Sequence, residues 1–412
     1  MSIAVSPDRL WGSLMRMARI GARADGGVDR LALTEADGLA RAQLRDWAQE
    51  AGCSMAVDRV GSMVLTYPGA DPSLPPVAVG SHLDSVPTGG KFDGAYGVLI
   101  GLEIIRALRD AGRRTHAPIC IVNWANEEGA RFAPPMAASE VAMGFAEEAA
   151  LLATPDRFGT TTYGAALAAS GWAGSADPAQ ARRFAAYFEA HIEQGPILER
   201  EGAPIGVVTH GFGVNYCNVT VQGQDGHIGS RMEDRHDALV AAAEVILTLE
   251  SIARGTGGKG LASATRLALE PDARGNIPSL VRLVASLRNI EQDGLEAMKA
   301  TFAAALQEIS IRREMPIRID YVSGYPSVRF DEVLLQRLRD AAAAAGLKHR
   351  DLPTPIGHDA LHVGRVVPSA MLFIPCHGGL SHNPAESITQ EWSAAGLATL
   401  APAVIETAGG LA

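Results

Sequence analysis

Apolar residues recur at helical spacing in two stretches near the start of the chain, and this pattern predicts helices over residues 7–19 and 34–51. Thr34, followed by Glu35 and Asp37, is typical of the first turn of a helix. The segment CSMAVDRVGSMVLTYPG that follows alternates between apolar and polar residues around a central glycine. That alternation predicts two strands joined by a turn.

The next segments read as strand, helix and strand, which favours a mostly parallel α/β sheet. PPVAVGSHLD predicts a short buried strand, GAYGVLIGLEIIRALRDAG a helix with an apolar face, and APICIVNWANEEG a second buried strand. His82 then follows one strand, and Glu127 and Glu128 follow another. Ligands of open α/β sheets bind at this carboxyl edge, so these polar residues are candidates for function.

From about residue 213 the pattern changes to closely interleaved strands and helices, which predicts a second domain. NYCNVTVQGQ, SATRLALEP, SLVRLVASLRN and PIRIDYVSG read as strands, with two long helices between them. After residue 328 a helix and the buried strand SAMLFIPC return, and GLSHNPAES then places His382 at a strand end. We therefore predict a catalytic domain of residues 1–212 and 329–412, interrupted by an inserted domain of residues 213–328.

Composition supports a globular chain with a small-molecule partner. The 412 residues are too many for one ordinary core, and 47% are hydrophobic and 20% charged. The net charge of −10 argues against nucleic acid or an anionic membrane as a partner. No apolar run is long enough for a transmembrane helix, and no signal-peptide pattern stands at the start. We expect a cytoplasmic protein.

The four cysteines are widely spaced and contain no CxxC pair. Neither a disulfide framework nor a thiolate zinc site is indicated. We expect buried, free thiols.

Four polar clusters bring together imidazole and carboxylate groups: SHLDSVPTGGKFDG, NWANEEGARF, HIEQGP and SHNPAE. The candidate metal ligands that they offer are His82, Asp93, Glu128, His191 and His382. Such ligands suit zinc, manganese, cobalt or nickel. Five ligands are too many for one catalytic tetrahedral site, but they suit two ions that share a bridging carboxylate and a water or hydroxide.

Two neighbouring carboxylates have supporting roles in this interpretation. Glu127 lies beside Glu128 and is free to accept the proton of the water. Asp84 is placed to accept the second ring N–H of His82. Each feature alone has an ordinary explanation, because single loop residues usually cap turns or face solvent, and HIEQGP alone is compatible with a turn or a helix start. Their co-occurrence at strand ends favours a metal site.

At these residues the chain resembles the metal-dependent amidohydrolases of the M20 peptidase clan. The similarity is to the branch that contains N-carbamoyl-L-amino acid hydrolases, β-ureidopropionases and allantoate amidohydrolases. It rests on GSHLDSVPTGGKFDGAYGVL, NEEGARF, HIEQGPILE, GHIGS, GHDA and SHNPAES, which occur in the family's order. The resemblance extends from about Leu10 to the C-terminus. It implies an α/β, mixed-sheet catalytic domain with helices on both faces, and an inserted α+β, ferredoxin-like lid and dimerisation domain.

The resemblance also implies a role for each matching residue. His82, Asp93 and His191 correspond to ligands of the first metal, and Asp93, Glu128 and His382 to ligands of the second, so that Asp93 bridges two divalent ions. Zinc is expected, with manganese, cobalt and nickel as alternatives. Glu127 corresponds to the general base.

The substrate-binding residues implied by the resemblance are Gln194, His227, Asn276 and Arg288. His227 corresponds to a catalytic residue that polarises the substrate carbonyl across a homodimer. Asn276 and Arg288 correspond to residues that hold a carboxylate, a role that the guanidinium fork suits. Gln194 corresponds to a further substrate contact.

The chain departs from the family pattern at several positions, which bears on the substrate. HIGSRM replaces the commoner HAGTTPM, and ASLRN lacks the usual acidic residue before the arginine. Asn215 and Tyr216 stand where allantoate hydrolases tend to have an arginine, which disfavours allantoate. Ala138 and Ser139 replace a Gly-Ser pair. An N-acyl rather than an N-carbamoyl group is therefore compatible with the sequence.

The sequence thus predicts a bimetallic amidohydrolase that cleaves the C–N bond of an N-carbamoyl- or N-acyl-amino acid through a metal-bridging hydroxide. A dipeptidase or aminoacylase of the same clan is the first alternative, and an allantoate amidohydrolase a weaker one. A binding protein that has kept the fold without catalysis is the alternative from another class.

Overall fold

The computed structural model describes residues 3–412, except for the side chain of Tyr321. The chain forms two compact units. The first comprises residues up to Thr209 together with Arg329–Leu352 and Gly357–Ala412, and the second comprises His210–Val328 and Pro353–Ile356. The first unit is thus discontinuous in sequence, with most of the second unit inserted into it.

The regular elements that precede the inserted segment are α1 Pro7–Met17, α2 Glu35–Glu50, β1 Ser54–Val57, β2 Met63–Tyr67, β3 Val77–His82, α3 Ala95–Asp110, β4 Ile119–Trp124, α4 Ala137–Met143, α5 Glu148–Ala153, α6 Tyr163–Ser170, β5 Ala186–Ile192, α7 Ile197–Glu201 and β6 Ile205–Gly211. Those of the inserted segment are β7 Gly213–Gln222, β8 Gly226–His227, α8 Ala238–Gly255, β9 Gly260–Glu270, β10 Asn276–Ile277, β11 Leu280–Asn289, α9 Gln292–Arg313 and β12 Ile317–Tyr325. The chain ends with β13 Val328–Arg329, α10 Glu332–Ala344, β14 His349–Thr354, α11 Asp359–Val363, β15 Ser369–Ile374 and α12 Gln390–Thr407.

A mixed sheet forms the centre of the first unit, in the strand order β1-β2-β4-β3-β5-β15-β6-β13, with β14 beside β6. Its four central strands β4, β3, β5 and β15 run parallel to one another. Both flanks are antiparallel, because β2 pairs with β4 and β6 with β15 in that sense. Every residue of the four central strands is buried, which shows that both faces of the sheet are covered. The mostly parallel arrangement expected from the apolar pattern is found at the centre, and the antiparallel flanks give the mixed sheet that the family resemblance implies.

The inserted segment has the element order β-α-β-β-α-β of a ferredoxin-like fold, once the short β8 and β10 are set aside. Its antiparallel sheet has the order β12-β7-β11-β9, and α8 and α9 bury their apolar side chains against it. The short strands β8 and β10 pair separately from this sheet. This confirms the predicted α+β class.

Most predicted elements before the insertion are present, since local patterns determine them. Thr34 caps α2, and its hydroxyl accepts a hydrogen bond from the Asp37 amide at 3.4 Å. The two strands predicted around Gly61 form the β1–β2 hairpin.

The four cysteines are free and buried, as predicted. No helix within residues 3–412 has both the length and the apolar character needed to cross a bilayer.

Strand β5 is the main element that the sequence did not predict. HIEQGP is compatible with a turn or a helix start, but His191 lies inside β5 and is buried between two parallel neighbours. Glu189 and His191 are polar residues that are buried in this strand, and they interrupt its apolar pattern.

A buried ion pair inside α2 supports the first unit, and we predict a large stability effect there. The Arg41 Nε atom lies 2.8 Å from the Asp37 carboxylate, and both side chains are 1% exposed. Asp37→Ala leaves a buried guanidinium without its partner charge, so the free energy of unfolding should fall by about 3–5 kcal/mol. Equilibrium unfolding in urea measures this loss of unfolding free energy. Asp46→Ala, which removes an exposed partner of Arg45 in the same helix, should cost less than about 1 kcal/mol; equal losses would contradict this account.

Candidate metal centre

Four parallel strands bring the predicted ligands to one edge of the central sheet. His82 is the last residue of β3, and His191 is the penultimate residue of β5. Glu127 and Glu128 follow β4 within four residues, and His382 lies on the loop after β15. Because the carboxyl ends of parallel strands share an edge, residues from distant parts of the chain meet here.

The structure brings all five predicted metal ligands together as two overlapping groups. His82, Asp93 and His191 form one group, in which the ligand atoms lie within 4.8 Å of one another. Asp93, Glu128 and His382 form the other by the same measure. Asp93 thus belongs to both groups. Its Oδ1 atom lies 3.0 Å from His191 Nε2, and its Oδ2 atom lies 3.4 Å from His382 Nε2.

A glycine beside Asp93 lets its loop lie against the ring of His82. Gly94 has φ +65°, in the left-handed region, and a Cβ atom at this position would overlap the ring of His82. Its amide nitrogen also lies only 3.2 Å from His191 Nε2. A side chain at position 94 is therefore incompatible with the observed spacing of the ligands.

The structure corrects the predicted role of Asp84. The His82 Nδ1 atom lies 2.9 Å from the backbone carbonyl of Asp84 but 3.9 Å from its carboxylate. The carbonyl, and not the side chain, accepts the second ring N–H. The carboxylate instead accepts hydrogen bonds from the amides of Glu127 and Glu128, both at 3.2 Å. Asp84 therefore positions the acidic pair after β4.

Glu127 lies at the edge of the first group without belonging to either. Its Oε2 atom is 3.5 Å from His82 Nε2, and the residue is 7% exposed. The neighbouring Glu128 points towards His382, with 3.1 Å between Oε2 and Nε2. The two adjacent carboxylates therefore have different partners, as the sequence interpretation requires.

The charges of the cluster favour a bound cation. Burial alone lowers the pKa of His82 and of His191, but the nearby carboxylates outweigh burial and raise both pKa values. A hydrogen bond to Asp93 is the main reason that the pKa of His382 rises to about 11. Burial alone would raise the pKa of Asp93, yet the charge of His191 contributes to holding it well below its usual range. Burial raises the pKa of Glu127. The carboxylates that raise the pKa values of the histidines also give the cluster the negative charge that favours a divalent metal ion.

Gln194 lies in this centre, in contact with a predicted ligand. It follows β5 with φ +54°, and its Nε2 atom donates to Asp93 Oδ2 at 2.9 Å and to Ser381 Oγ at 2.9 Å. Its Oε1 atom is buried and has no hydrogen-bond partner among the described residues.

The other predicted substrate residues lie in the second unit. His227 and Asn276 face each other in the β8–β10 pair, and both are exposed. Arg288 lies in β11, where its guanidinium donates to Tyr216 Oη at 2.9 Å and to the Pro355 carbonyl at 2.5 Å. The structure thus brings His227 and Asn276 together and holds Arg288 on the four-stranded sheet.

The sequence interpretation missed two residues of the centre. Ser381 Oγ lies 2.9 Å from Asp93 Oδ2, and the Glu386 carboxylate accepts hydrogen bonds from the amides of Phe92 and Asp93 at 2.9 and 3.1 Å. Both residues lie within the GLSHNPAES segment already singled out for His382. A serine and a glutamate flanking a candidate ligand in one short motif were the available signal.

Comparison with known proteins gives consistent matches over the whole chain. Residues 78–406 match the model of Peptidase family M20/M25/M40. The chain is 43% identical over 405 residues to the N-carbamoyl-L-amino-acid amidohydrolase of Rhizobium meliloti, covering 98% of this chain and 97% of that protein. It is 32% identical over 410 residues to the N-carbamoyl-L-amino acid amidohydrolase of Geobacillus stearothermophilus, covering 98% and 100%.

A solved structure agrees with the sequence matches. The crystal structure of an amidase of the hydantoinase/carbamoylase family from Burkholderia multivorans superposes with a TM-score of 0.90 at 40% identity, and the match covers 99% of each chain.

Proposed function

This chain belongs to peptidase family M20/M25/M40, and from that membership we propose that it hydrolyses the C–N bond of an N-carbamoyl- or N-acyl-amino acid. It is an amidohydrolase, a hydrolase of linear amide or ureido bonds. The observation that carries the proposal is the convergence of five ligand side chains on one sheet edge, with Glu127 beside them.

The chain binds divalent metal, and we propose two ions per subunit. His82, Asp93 and His191 would hold one ion, and Asp93, Glu128 and His382 the other. Zinc is the proposed metal, because imidazole and carboxylate donors without thiolate suit it. Bound there, the ions supply Lewis-acid polarisation of the carbonyl and activation of water.

Glu127 is the proposed proton-transfer group. It is adjacent to the ligand cluster but belongs to neither group, so its carboxylate remains free to take a proton from the attacking water. The same carboxyl group then donates that proton to the leaving nitrogen. The hydrogen bonds from the Glu127 and Glu128 amides to Asp84 hold this segment in place during both transfers.

Gln194 and three residues of the second unit are the proposed substrate contacts. Gln194 offers a buried amide oxygen that has no partner in the described residues. Arg288 and Asn276 are assigned to the substrate carboxylate, and His227 to the carbonyl. A guanidinium held by Tyr216 and a backbone carbonyl is already oriented, which reduces the entropy lost on binding a planar carboxylate.

We further propose that the inserted segment is a lid and dimerisation domain and that the protein is a homodimer. Light scattering of the purified chain measures the oligomeric state directly. A monomer at the concentrations used for catalysis would contradict this part of the proposal.

Removal of metal and a substrate panel test the function together. Dialysis against a chelator should abolish hydrolysis of N-carbamoyl-amino acids, and added Zn²⁺ or Mn²⁺ should restore it, because the ligand cluster holds the ions that activate water. The panel compares carbamoyl-, acyl- and dipeptidyl-amino acids by kcat/KM. Full activity of metal-free protein would rule out the proposal, and a preference for dipeptides would favour the peptidase alternative.

A further inference from the structure

The loop that carries His382 has little regular structure of its own, so its position needs an explanation. The loop lies between β15 and α12, the His382 side chain is half exposed, and its backbone has φ +51°. A non-glycine residue in the left-handed region persists only where its surroundings fix it.

A single buried carboxylate connects this loop to the loop of Asp93. Glu386 is 2% exposed, and its Oε1 atom accepts hydrogen bonds from the amides of Phe92 and Asp93. Its Oε2 atom lies 3.1 Å from the Ser381 hydroxyl, which itself lies 2.9 Å from Asp93 Oδ2. Glu386 therefore holds the backbone of one ligand directly and its side chain through one serine.

The Asp93 loop is shaped to receive this carboxylate. A Cβ atom at Gly90 would overlap the carboxylate of Glu386. Gly27 makes a second close approach to the His382 loop, because a Cβ atom there would lie 2.9 Å from Pro384. Two glycines thus make room for the same short segment.

We propose that Glu386 is a positioning residue that sets the spacing of the two metal positions by fixing Asp93 and His382 relative to each other. The role depends on hydrogen bonds, since the carboxylate accepts from two amides and is, with Asp93 Oδ2, one of two acceptors in reach of the single Ser381 hydroxyl proton. An amide of the same shape can still accept from the two backbone amides, and it can donate to Ser381 Oγ, which leaves the hydroxyl proton for Asp93 Oδ2. The inference rests on the proposed metal-dependent function but concerns ion binding, which is measured without substrate.

Four variants test the assignment: Glu386→Ala, Glu386→Gln, Ser381→Ala and the control Glu391→Ala, an exposed glutamate at the start of α12. Calorimetric titration of the apoprotein with Mn²⁺ or Zn²⁺ gives stoichiometry and affinity, and circular dichroism confirms folding. Glu386→Ala should weaken ion binding about 10- to 100-fold, with a parallel fall in kcat and little change in KM. Ser381→Ala should show a smaller loss, and it tests the connection even where Glu386→Ala does not fold.

Glu386→Gln provides the discriminating result. It should stay within a few-fold of the unaltered chain in ion affinity and kcat, because it preserves the hydrogen bonds. A folded Glu386→Ala variant that binds two ions with undiminished affinity would overturn the inference. So would a Glu386→Gln variant as defective as Glu386→Ala, since charge would then be the cause. If two ions bind but no substrate of the panel is cleaved, the proposed function fails while this inference stands.

Discussion

Glu127→Gln should lower kcat by about 10³- to 10⁴-fold while leaving metal content unchanged, because the amide cannot accept and return a proton. Glu127 has the position for this role. It is buried, its Oε2 atom lies 3.5 Å from His82 Nε2, and it is absent from both ligand groups. The measurement pairs steady-state kinetics with elemental analysis of the same preparation.

The controls separate proton transfer from damage to the site. Glu147→Gln changes an exposed glutamate at the start of α5 and should leave kcat unchanged. Glu127→Gln should also bind substrate with a near-normal dissociation constant. An unaltered rate in this variant would favour a protein that has kept the fold for a purpose other than hydrolysis.

Asp93→Asn should abolish hydrolysis and reduce the content of both ions, since Asp93 is the one residue shared by the two ligand groups. Lewis-acid activation contributes several kcal/mol, and a loss of about 4 kcal/mol corresponds to about 10³-fold in rate. His382→Asn is the informative comparison. It removes a ligand of one group only, so it should spare one ion while Asp93→Asn spares neither.

Elemental analysis and kinetics on Asp93→Asn and His382→Asn test whether Asp93 is shared by both ions. Asp340→Asn, which changes an exposed aspartate of α10, is the matched control and should retain activity and ions. Retention of two ions by Asp93→Asn would show that Asp93 does not bridge them. The assignment of the ligands would then have to be revised.

The sequence predicts much of the fold because hydrophobic periodicity determines single elements. The strands that end at His82 and Trp124 follow from short apolar runs, and the helices from their spacing. Strand β5 was missed because Glu189 and His191 interrupt its apolar pattern. The antiparallel flanks do not follow from the local patterns, since strand order depends on tertiary pairing, and only the resemblance to the family implied a mixed sheet.

Most residues of the candidate site could be predicted from the sequence, but the contacts between them could not. Its imidazoles and carboxylates stand out in four glycine-rich or acidic motifs, and resemblance to a family suggests their roles. Differences of about an ångström in loop conformation decide whether the carbonyl or the carboxylate of Asp84 accepts the His82 N–H. Loop conformation also decides where the Glu386 side chain points.

The discontinuity of the first unit has a consequence for biosynthesis. Strand β15 lies between β5 and β6 in the central sheet, so nearly the whole polypeptide must leave the ribosome before that sheet can close. The β7–β12 segment is continuous in sequence, so it can acquire its structure before β15 has been synthesised. Before β15 is synthesised, the edges of β5 and β6 that will pair with it stay unpaired on the nascent chain. Dependence on chaperones should therefore be greatest between the synthesis of β6 and that of β15.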